Sequence, residues 1–221
     1  MFKKVNIGLT VLVVLFVVFE FTGKGQAQNQ HTFPANVATI QPADFTEHEK
    51  GLLEAGGANK VFAFQYHLPE QNMKYVDVWI ELYKNGKDEG KRFAHSSLIK
   101  GTKDGLLFLT VQKLEIKKSQ MVKWISTVIS DNGSGRSSIT RKSSIHKGGA
   151  LTIQGGSGKI IPGEAITLAV TVQDPDASSF VVPNGIFAKE NHKDVLKRLR
   201  NQYQYVYLLK CKFRNSPEGG F

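Results

Sequence analysis

The sequence contains little cysteine and histidine, and neither residue occurs at the spacings that usually bind metals. Cys211 is the only cysteine among 221 residues, so no internal disulfide can form and the stability of the fold must come from a hydrophobic core. The six histidines are never three or four positions apart, so no local zinc-binding motif exists. They are His31, His48, His67, His95, His146 and His192. We therefore predict no metal ion and no cofactor.

Two glycine-rich motifs of enzymes also fail in one segment. A phosphate-binding loop fails at Ile153, where its first glycine belongs, and at Ile160, where serine or threonine belongs. The nucleophile motif Gly-x-Ser-x-Gly fails in residues 155–159 because Lys159 replaces its last glycine. We predict a non-enzymatic protein without catalytic residues. The alternative is a hydrolase whose site assembles from distant residues, with His67 or His95 meeting Asp77 or Glu81 in a pocket.

No apolar run reaches the roughly twenty residues of a comfortable membrane-spanning helix, but a shorter run stands near the N-terminus. Lys3 and Lys4 precede fifteen mostly apolar residues, 5–19, and the small residues of Gly25–Ala27 follow. This order is typical of an export signal. We predict that residues 1–27 form a hydrophobic helix that is cleaved as a signal peptide, with retention as an N-terminal membrane anchor as the alternative. Both interpretations place the rest of the chain outside the cytoplasm.

Composition divides the remaining chain into three parts. Residues 28–43 are polar and are predicted to form a flexible linker, and residues 215–221 are predicted to form a flexible tail. Residues 44–214 are predicted to form a single domain, and no repeat of twenty to fifty residues is visible, which argues against a solenoid.

Hydrophobic alternation dominates this domain. Thr46 and Glu49 have the spacing of a capping box and predict a short helix, and Asn191 can cap a second, basic helix. Apolar residues alternate with others in the segments predicted to be strands. These are 61–68, 75–83, 106–116, 121–130, 166–172 and 203–213. The chain is therefore predicted to be mainly β, an antiparallel β-sandwich with one or two short helices.

The segment 166–172 shows this alternation most clearly. Ile166, Leu168, Val170 and Val172 are predicted to face the core, and Thr167, Ala169 and Thr171 are predicted to face outward. With the preceding Pro162-Gly163-Glu164, this strand resembles a turn-and-strand segment of bacterial immunoglobulin-like modules. The resemblance covers thirteen residues, 162–174. It implies a sandwich used in adhesion, spacing or ligand presentation, and it transfers no functional residue.

Aromatic residues offer two candidate surfaces. Trp79 shares a predicted strand face with Tyr75 and Tyr83, which favours the semi-buried outer face of a sheet over a platform for sugars. The alternating tyrosines of residues 203–207 continue into Leu209, which favours a core position.

Positive charge exceeds negative charge, and the excess is unevenly placed. The chain has 29 Lys and Arg against 19 Asp and Glu, a net charge of +10. Residues 28–109 hold nine basic and ten acidic residues, whereas residues 110–221 hold seventeen basic and eight acidic residues. A solubilising surface explains such a surplus as well as a binding surface does. For an exported chain, however, a cationic half favours an anionic partner.

We predict that this cationic second half contacts an anionic cell-wall polymer or a membrane surface. The candidate contact residues are Lys117, Lys118, Lys123, Arg141, Lys142, Lys197, Arg198 and Arg200. Lysines act as point charges there, and arginines can grip phosphates with two hydrogen bonds. Another envelope protein is an alternative partner, and nucleic acid is not expected. A membrane-tethered accessory or sensor domain is the alternative function if the N-terminal helix is retained.

Overall fold

Two antiparallel sheets form the domain in a computed structural model of the chain. The structure describes residues 36–70, 72–116, 119–142, 149–188 and 192–216. These residues belong to one compact unit, Phe33–Phe221. The strands are β1 Thr39–Pro42, β2 Lys60–His67, β3 Tyr75–Lys84, β4 Lys87–Leu98, β5 Asp104–Ile116, β6 Ser119–Ser130, β7 Gly133–Lys142, β8 Gly149–Gln154, β9 Gly158–Lys159, β10 Ala165–Asp174 and β11 Tyr205–Arg214. The helices are α1 Glu47–Ala55, the 3-10 helix Asn184–Ile186 and α2 His192–Gln202.

The strand order confirms the predicted β-sandwich. The first sheet has six strands in the order β7-β6-β5-β2-β1-β9, and the second has five in the order β4-β3-β11-β10-β8. All the neighbouring strands pair antiparallel. The two sheets bury one face each against the other, which is the arrangement that alternating strands require.

The main core lies between these inner faces. Phe64 and Leu109 from the first sheet meet Val78 and Phe213 from the second, and all four side chains are at most 1% exposed. Their positions follow the alternation seen in the sequence, because every second residue of a strand points to the same face. The capping box is also confirmed: the Thr46 hydroxyl accepts a hydrogen bond from the backbone N–H of Glu49, at the start of α1.

A second apolar cluster covers the outer face of the second sheet. The α2 residues Val195, Leu196 and Leu199 pack there against strand residues that include Val206 and Leu208. The spacing of the three helical residues places them on one side of α2, so the short helix is held by tertiary packing.

A β-bulge corrects the predicted facing of β10. Its register against β11 shifts between Thr167 and Ala169. Leu168 and Ala169 both join the main core, whereas Val170 and Val172 pack in the outer cluster under α2. An extra residue in one strand reverses the side on which all later side chains lie. The prediction was therefore wrong from Ala169 onward.

Five strands were not predicted from the sequence: β1, β4, β7, β8 and β9. The edge strands β4 and β7 carry mostly polar residues, and β7 begins at Gly133, directly after the turn at residues 131–132. Strand β1 pairs with β2 and buries Ile40. It overlaps the segment 28–43, so pairing in the sheet begins inside the predicted linker.

The predicted signal or anchor, residues 1–27, lies outside the described residues, as do residues 28–35 of the predicted linker, the predicted helix cap Asn191, and residues 117–118 and 217–221. In the described part of the chain, no helix is both long enough and apolar enough to cross a bilayer.

Gly105 tests how tightly β5 packs against its neighbours β2 and β6 in the first sheet. A Cβ at this position of β5 would lie 2.3 Å from the Tyr66 ring and 2.6 Å from the Ile129 carbonyl oxygen. We expect Gly105→Ala to lower the free energy of unfolding by roughly 1–3 kcal/mol, because the inserted methyl group overpacks the core. Urea denaturation measures this loss. The matched control is Gly156→Ala, where no atom lies within 4 Å of the new Cβ, and an equal loss there would contradict the steric explanation.

Candidate ligand-binding pocket

The sandwich opens at one end into an apolar pocket of about 250 Å³ between the sheets. It lies where β2 begins and where β7 ends. The first sheet contributes Phe62, Leu109, Val111, Val122 and Trp124 to its lining. The second sheet contributes Ile80, Ala150, Ala169, Thr171, Gln173, Tyr207 and Leu209. Such a concave, mostly apolar cavity with a few polar groups is typical of small-ligand sites.

The β10 bulge explains why this end of the sandwich is not filled. Downstream of the bulge, Ala169 and Thr171 face the pocket, while the larger Val170 and Val172 are turned to the outer cluster. Nearer the other end, the rings of Tyr66 and Phe213 meet edge to face with centroids 5.3 Å apart. Small side chains therefore leave space at one end that aromatic rings occupy at the other.

Strand pairing brings cations to the mouth of the pocket. Lys60 pairs with Val111 across β2 and β5, and Lys113 pairs with Val122, which in turn pairs with Arg141. Paired residues lie on the same face of a sheet, so these cations continue the apolar inner face outward. With Lys142 they form a group of four exposed lining residues, which we call the basic rim: Lys60, Lys113, Arg141 and Lys142.

The electrostatic environment of the rim is positive. Partial burial lowers the pKa of the Lys60 ammonium, and the nearby charge of Lys113 lowers it further. The Lys60 ammonium donates a hydrogen bond to the Thr152 hydroxyl, which shares a 2.9 Å hydrogen bond with the Thr171 hydroxyl. The described lining of the pocket includes no aspartate or glutamate. Lys60 and Lys113 thus repel each other, and the described lining holds no carboxylate to balance them.

Two cations of the second sheet, Arg214 and Lys210, are paired with acidic residues. Arg214 donates a hydrogen bond of 2.8 Å from Nη2 to Asp77 Oδ1, and Lys210 Nζ lies 2.9 Å from Glu81 Oε2. Burial alone would raise the pKa of Glu81, but the hydrogen bond from Lys210 and its other contacts hold that pKa below its ordinary value. These ion pairs stabilise the sheet, and the paired cations are less available to bind a ligand.

The predicted cations fall into separate groups. Arg141 and Lys142 belong to the basic rim, while Lys123 alternates with the pocket-facing Val122 and Trp124 and so lies on the other face of β6. Lys117 and Lys118 lie outside the described residues, and the last three candidates, Lys197, Arg198 and Arg200, lie on α2. The described candidates therefore do not form one continuous patch.

Arg200 is held by the fold. Its Nε donates a 3.0 Å hydrogen bond to the Gly86 carbonyl, and its guanidinium lies 4.4 Å from the centroid of the Tyr83 ring. On the same helix Lys197 and Arg198 are exposed. Arg200 therefore fixes α2 against the β3–β4 turn.

Two members of the basic rim, Lys60 and Lys113, are not among the contact residues predicted from the sequence. Lys60 lies in the half of the chain that has no surplus of positive charge, and Lys113 lies in the basic half. Both lysines lie on the same strand face as core residues: Lys60 is two positions before Phe62 on β2, and Lys113 is four positions after Leu109 on β5. A lysine at the end of an inward-facing apolar series is thus the sequence signal for this site.

The aromatic and histidine candidates are occupied by structural contacts. Trp79 is only 6% exposed, so it is more deeply buried than the predicted semi-buried position, and its indole N–H donates a 2.8 Å hydrogen bond to Glu81. His95 is hydrogen-bonded at 3.1 Å to Ser126 and pairs with Val78 on the inner face, whereas the neighbouring Asp77 faces the other way.

The remaining histidine of the hydrolase alternative has a different carboxylate partner. His67 Nδ1 lies 2.6 Å from Asp104 Oδ1. Glu81 instead bonds Trp79, Tyr83 and Lys210. The described residues include no group of three His, Cys, Asp or Glu side chains that could hold a metal ion. The residue combination suggested for a hydrolase is therefore not assembled.

Together, these features define an antiparallel β-sandwich protein with a basic-rimmed pocket. The family model for the YgaN domain matches residues 39–213, from β1 into β11. The chain therefore belongs to the YgaN domain family. It has no significant match among curated proteins or solved structures.

Proposed function

We propose that the protein is an exported, non-enzymatic module of the cell envelope that binds an anionic envelope component at the basic rim. The observation that carries this proposal is the convergence of Lys60, Lys113, Arg141 and Lys142 at one pocket whose described lining contains no acid. Partial burial and the charge of Lys113 both lower the pKa of Lys60, and an anion bound there would stabilise the charged form of this lysine.

The expected ligand is an anionic cell-wall polymer or an acidic headgroup at a membrane surface. Each Lys or Arg near an anionic surface contributes about 1 kcal/mol, and the four exposed rim cations act together. Arg141 can also bind a phosphate with two hydrogen bonds. Another envelope protein with a matching acidic surface is the alternative partner.

Export through residues 1–27 is part of the proposal. N-terminal sequencing of the exported product distinguishes the two forms of attachment. A product that starts at Gln28 indicates a secreted module, whereas an intact N-terminus indicates a membrane-anchored one. An immunoglobulin-like use of the sandwich, as implied by residues 162–174, would be ligand presentation or adhesion.

Cosedimentation of the exported domain with purified cell walls tests the binding. We expect strong binding at about 0.01 M salt, where the Debye length is about 30 Å, and little binding at about 1 M, where it is about 3 Å. Walls stripped of their anionic polymers by acid extraction serve as the control. Equal absence of binding at both salt concentrations would overturn the proposal, as would equal binding to stripped walls.

A further inference from the structure

We propose that the basic rim and the apolar pocket together bind an anionic amphiphile with a single aliphatic chain, whose charged head lies at the rim and whose chain enters the pocket between the sheets. The inference deepens the proposed function and rests on it, because the same rim binds the charged head. The ligand class is thus an anionic amphiphile, with a carboxylate or phosphate head and an acyl tail.

The lining of the pocket fits a hydrocarbon chain. Phe62, Leu109, Val122 and Leu209 contribute apolar side chains from both sheets, and Trp124 adds an aromatic wall. A sugar-phosphate polymer would find few hydrogen-bonding partners on such a surface, whereas an aliphatic chain would gain from leaving water. The apolar lining therefore favours a chain over a polar segment of polymer.

The size of the pocket suits a single chain. Its volume is about 250 Å³. Each buried methylene contributes about 0.8 kcal/mol in transfer from water, which corresponds to about a fourfold gain in affinity. Affinity should therefore rise with chain length and level off once the pocket is full.

The position of the rim fits the head of the same ligand. Lys60 lies two residues before Phe62 on β2, and Lys113 lies two residues after Val111 on β5. Two residues of a strand span about 6.6 Å, so the cations stand about one headgroup beyond the apolar wall. The rim cations and the apolar lining are thus arranged in the same order as the charged head and the aliphatic chain of the ligand.

Contact quenching of tryptophan fluorescence tests the inference directly. The chain has two tryptophans: Trp124 lines the pocket, while Trp79 is buried beside Glu81 on the outer face of the second sheet. A medium-chain fatty acid with bromine at its far end, used below its micelle concentration, should quench Trp124 saturably. The variant Trp124→Phe, which retains Trp79, should show no such quenching.

Matched probes separate head from tail. The fatty alcohol of the same length should bind at least about tenfold more weakly, because it lacks the charge. Acetate and inorganic phosphate, which lack the chain, should not protect Trp124 from the brominated probe. Equal affinity for acid and alcohol, or protection by a chainless anion, would overturn the inference.

Filling the pocket distinguishes this inference from the proposed function. Ala169→Leu should weaken binding of the fatty acid at least about tenfold, because the larger side chain occupies the space of the aliphatic chain, while the rim cations remain in place and should still bind walls in a salt-sensitive manner. Ala150→Leu, at an exposed position of the lining, provides a second test if Ala169→Leu fails to fold. Unchanged fatty-acid affinity in a folded filling variant, or quenching that persists in Trp124→Phe, would overturn the inference and leave wall binding standing. Quenching without any wall binding would overturn the proposed function alone.

Discussion

Replacing Lys60, Lys113, Arg141 and Lys142 by glutamine is expected to weaken binding to purified cell walls at low salt by at least about tenfold. The reason is additive attraction: at about 1 kcal/mol per cation, the four side chains together contribute at most about a thousandfold in affinity. Cosedimentation over a range of wall concentrations measures the change. Thermal unfolding of the variant verifies that its fold is intact, which we expect because all four residues are exposed.

The matched control removes the same number of positive charges elsewhere. Lys123, Lys193, Lys197 and Arg198 do not line the pocket, and three of them lie on α2. Their replacement by glutamine should reduce binding much less than replacement of the basic rim. An equal loss in both variants would mean that net charge alone drives the attraction, and it would contradict a defined site.

Removing the carboxylate of Asp77 is expected to cost about 3–5 kcal/mol in the free energy of unfolding. The side chain is fully buried and accepts hydrogen bonds from Nε and Nη2 of Arg214, which is itself only 7% exposed. In Asp77→Ala the guanidinium remains buried without its partner, and this uncompensated charge is the main cause of the loss. Urea denaturation at neutral pH measures it.

The exposed pair of Glu47 and Lys50 on α1 provides the control for this ion pair. Its atoms lie 2.6 Å apart, yet both side chains are at least half exposed to solvent. Glu47→Ala should therefore change the free energy of unfolding by less than about 1 kcal/mol. The double replacement Asp77→Leu with Arg214→Leu should recover much of the lost stability, because it leaves no unpaired charge. A similar small effect at both sites would contradict the role assigned to Asp77.

The same ion pair predicts how stability depends on pH. Burial alone would raise the pKa of Asp77, but hydrogen bonds from Arg214 and Ser96 and the charges of Arg214 and Lys212 outweigh it and hold the pKa below its ordinary value. A carboxyl whose pKa is lower in the folded state stabilises the fold above its unfolded pKa. This contribution should be lost as pH falls through the folded pKa. The stability difference between the wild type and Asp77→Asn should accordingly shrink on acidification below about pH 4, and a constant difference would contradict the assignment.

Edge strands show where prediction from sequence stops. Strands β4 and β7 were missed although they pair over most of their length with β3 and β6. Each stands at the edge of its sheet, and the β7 segment has no buried residue. Edge strands commonly carry polar and charged side chains, which protect their open hydrogen-bonding side from other chains. Their sequences therefore lack the apolar alternation that identifies inner strands such as β2 and β3.

The candidate pocket depends on contacts between residues that are far apart in the sequence. Arg141 and Lys142 could be selected from the basic half of the chain, but Lys60 could not, because its place beside Lys113 follows from the pairing of β2 with β5. The facing of Ala169 depends on the bulge in β10, and a single displaced residue reverses the pattern that the sequence suggests.

The amino-acid sequence by itself determined the local features of this protein: the capping box of Thr46 and Glu49, and the inner faces of alternating strands such as β2 and β3. Each depends on residues only a few positions apart, and their preferences act before distant segments meet. Only the tertiary structure decided which cations stand together and where the core remains open. Those features arise from strand register, from the β10 bulge and from pairing between residues more than fifty positions apart, which no local pattern specifies.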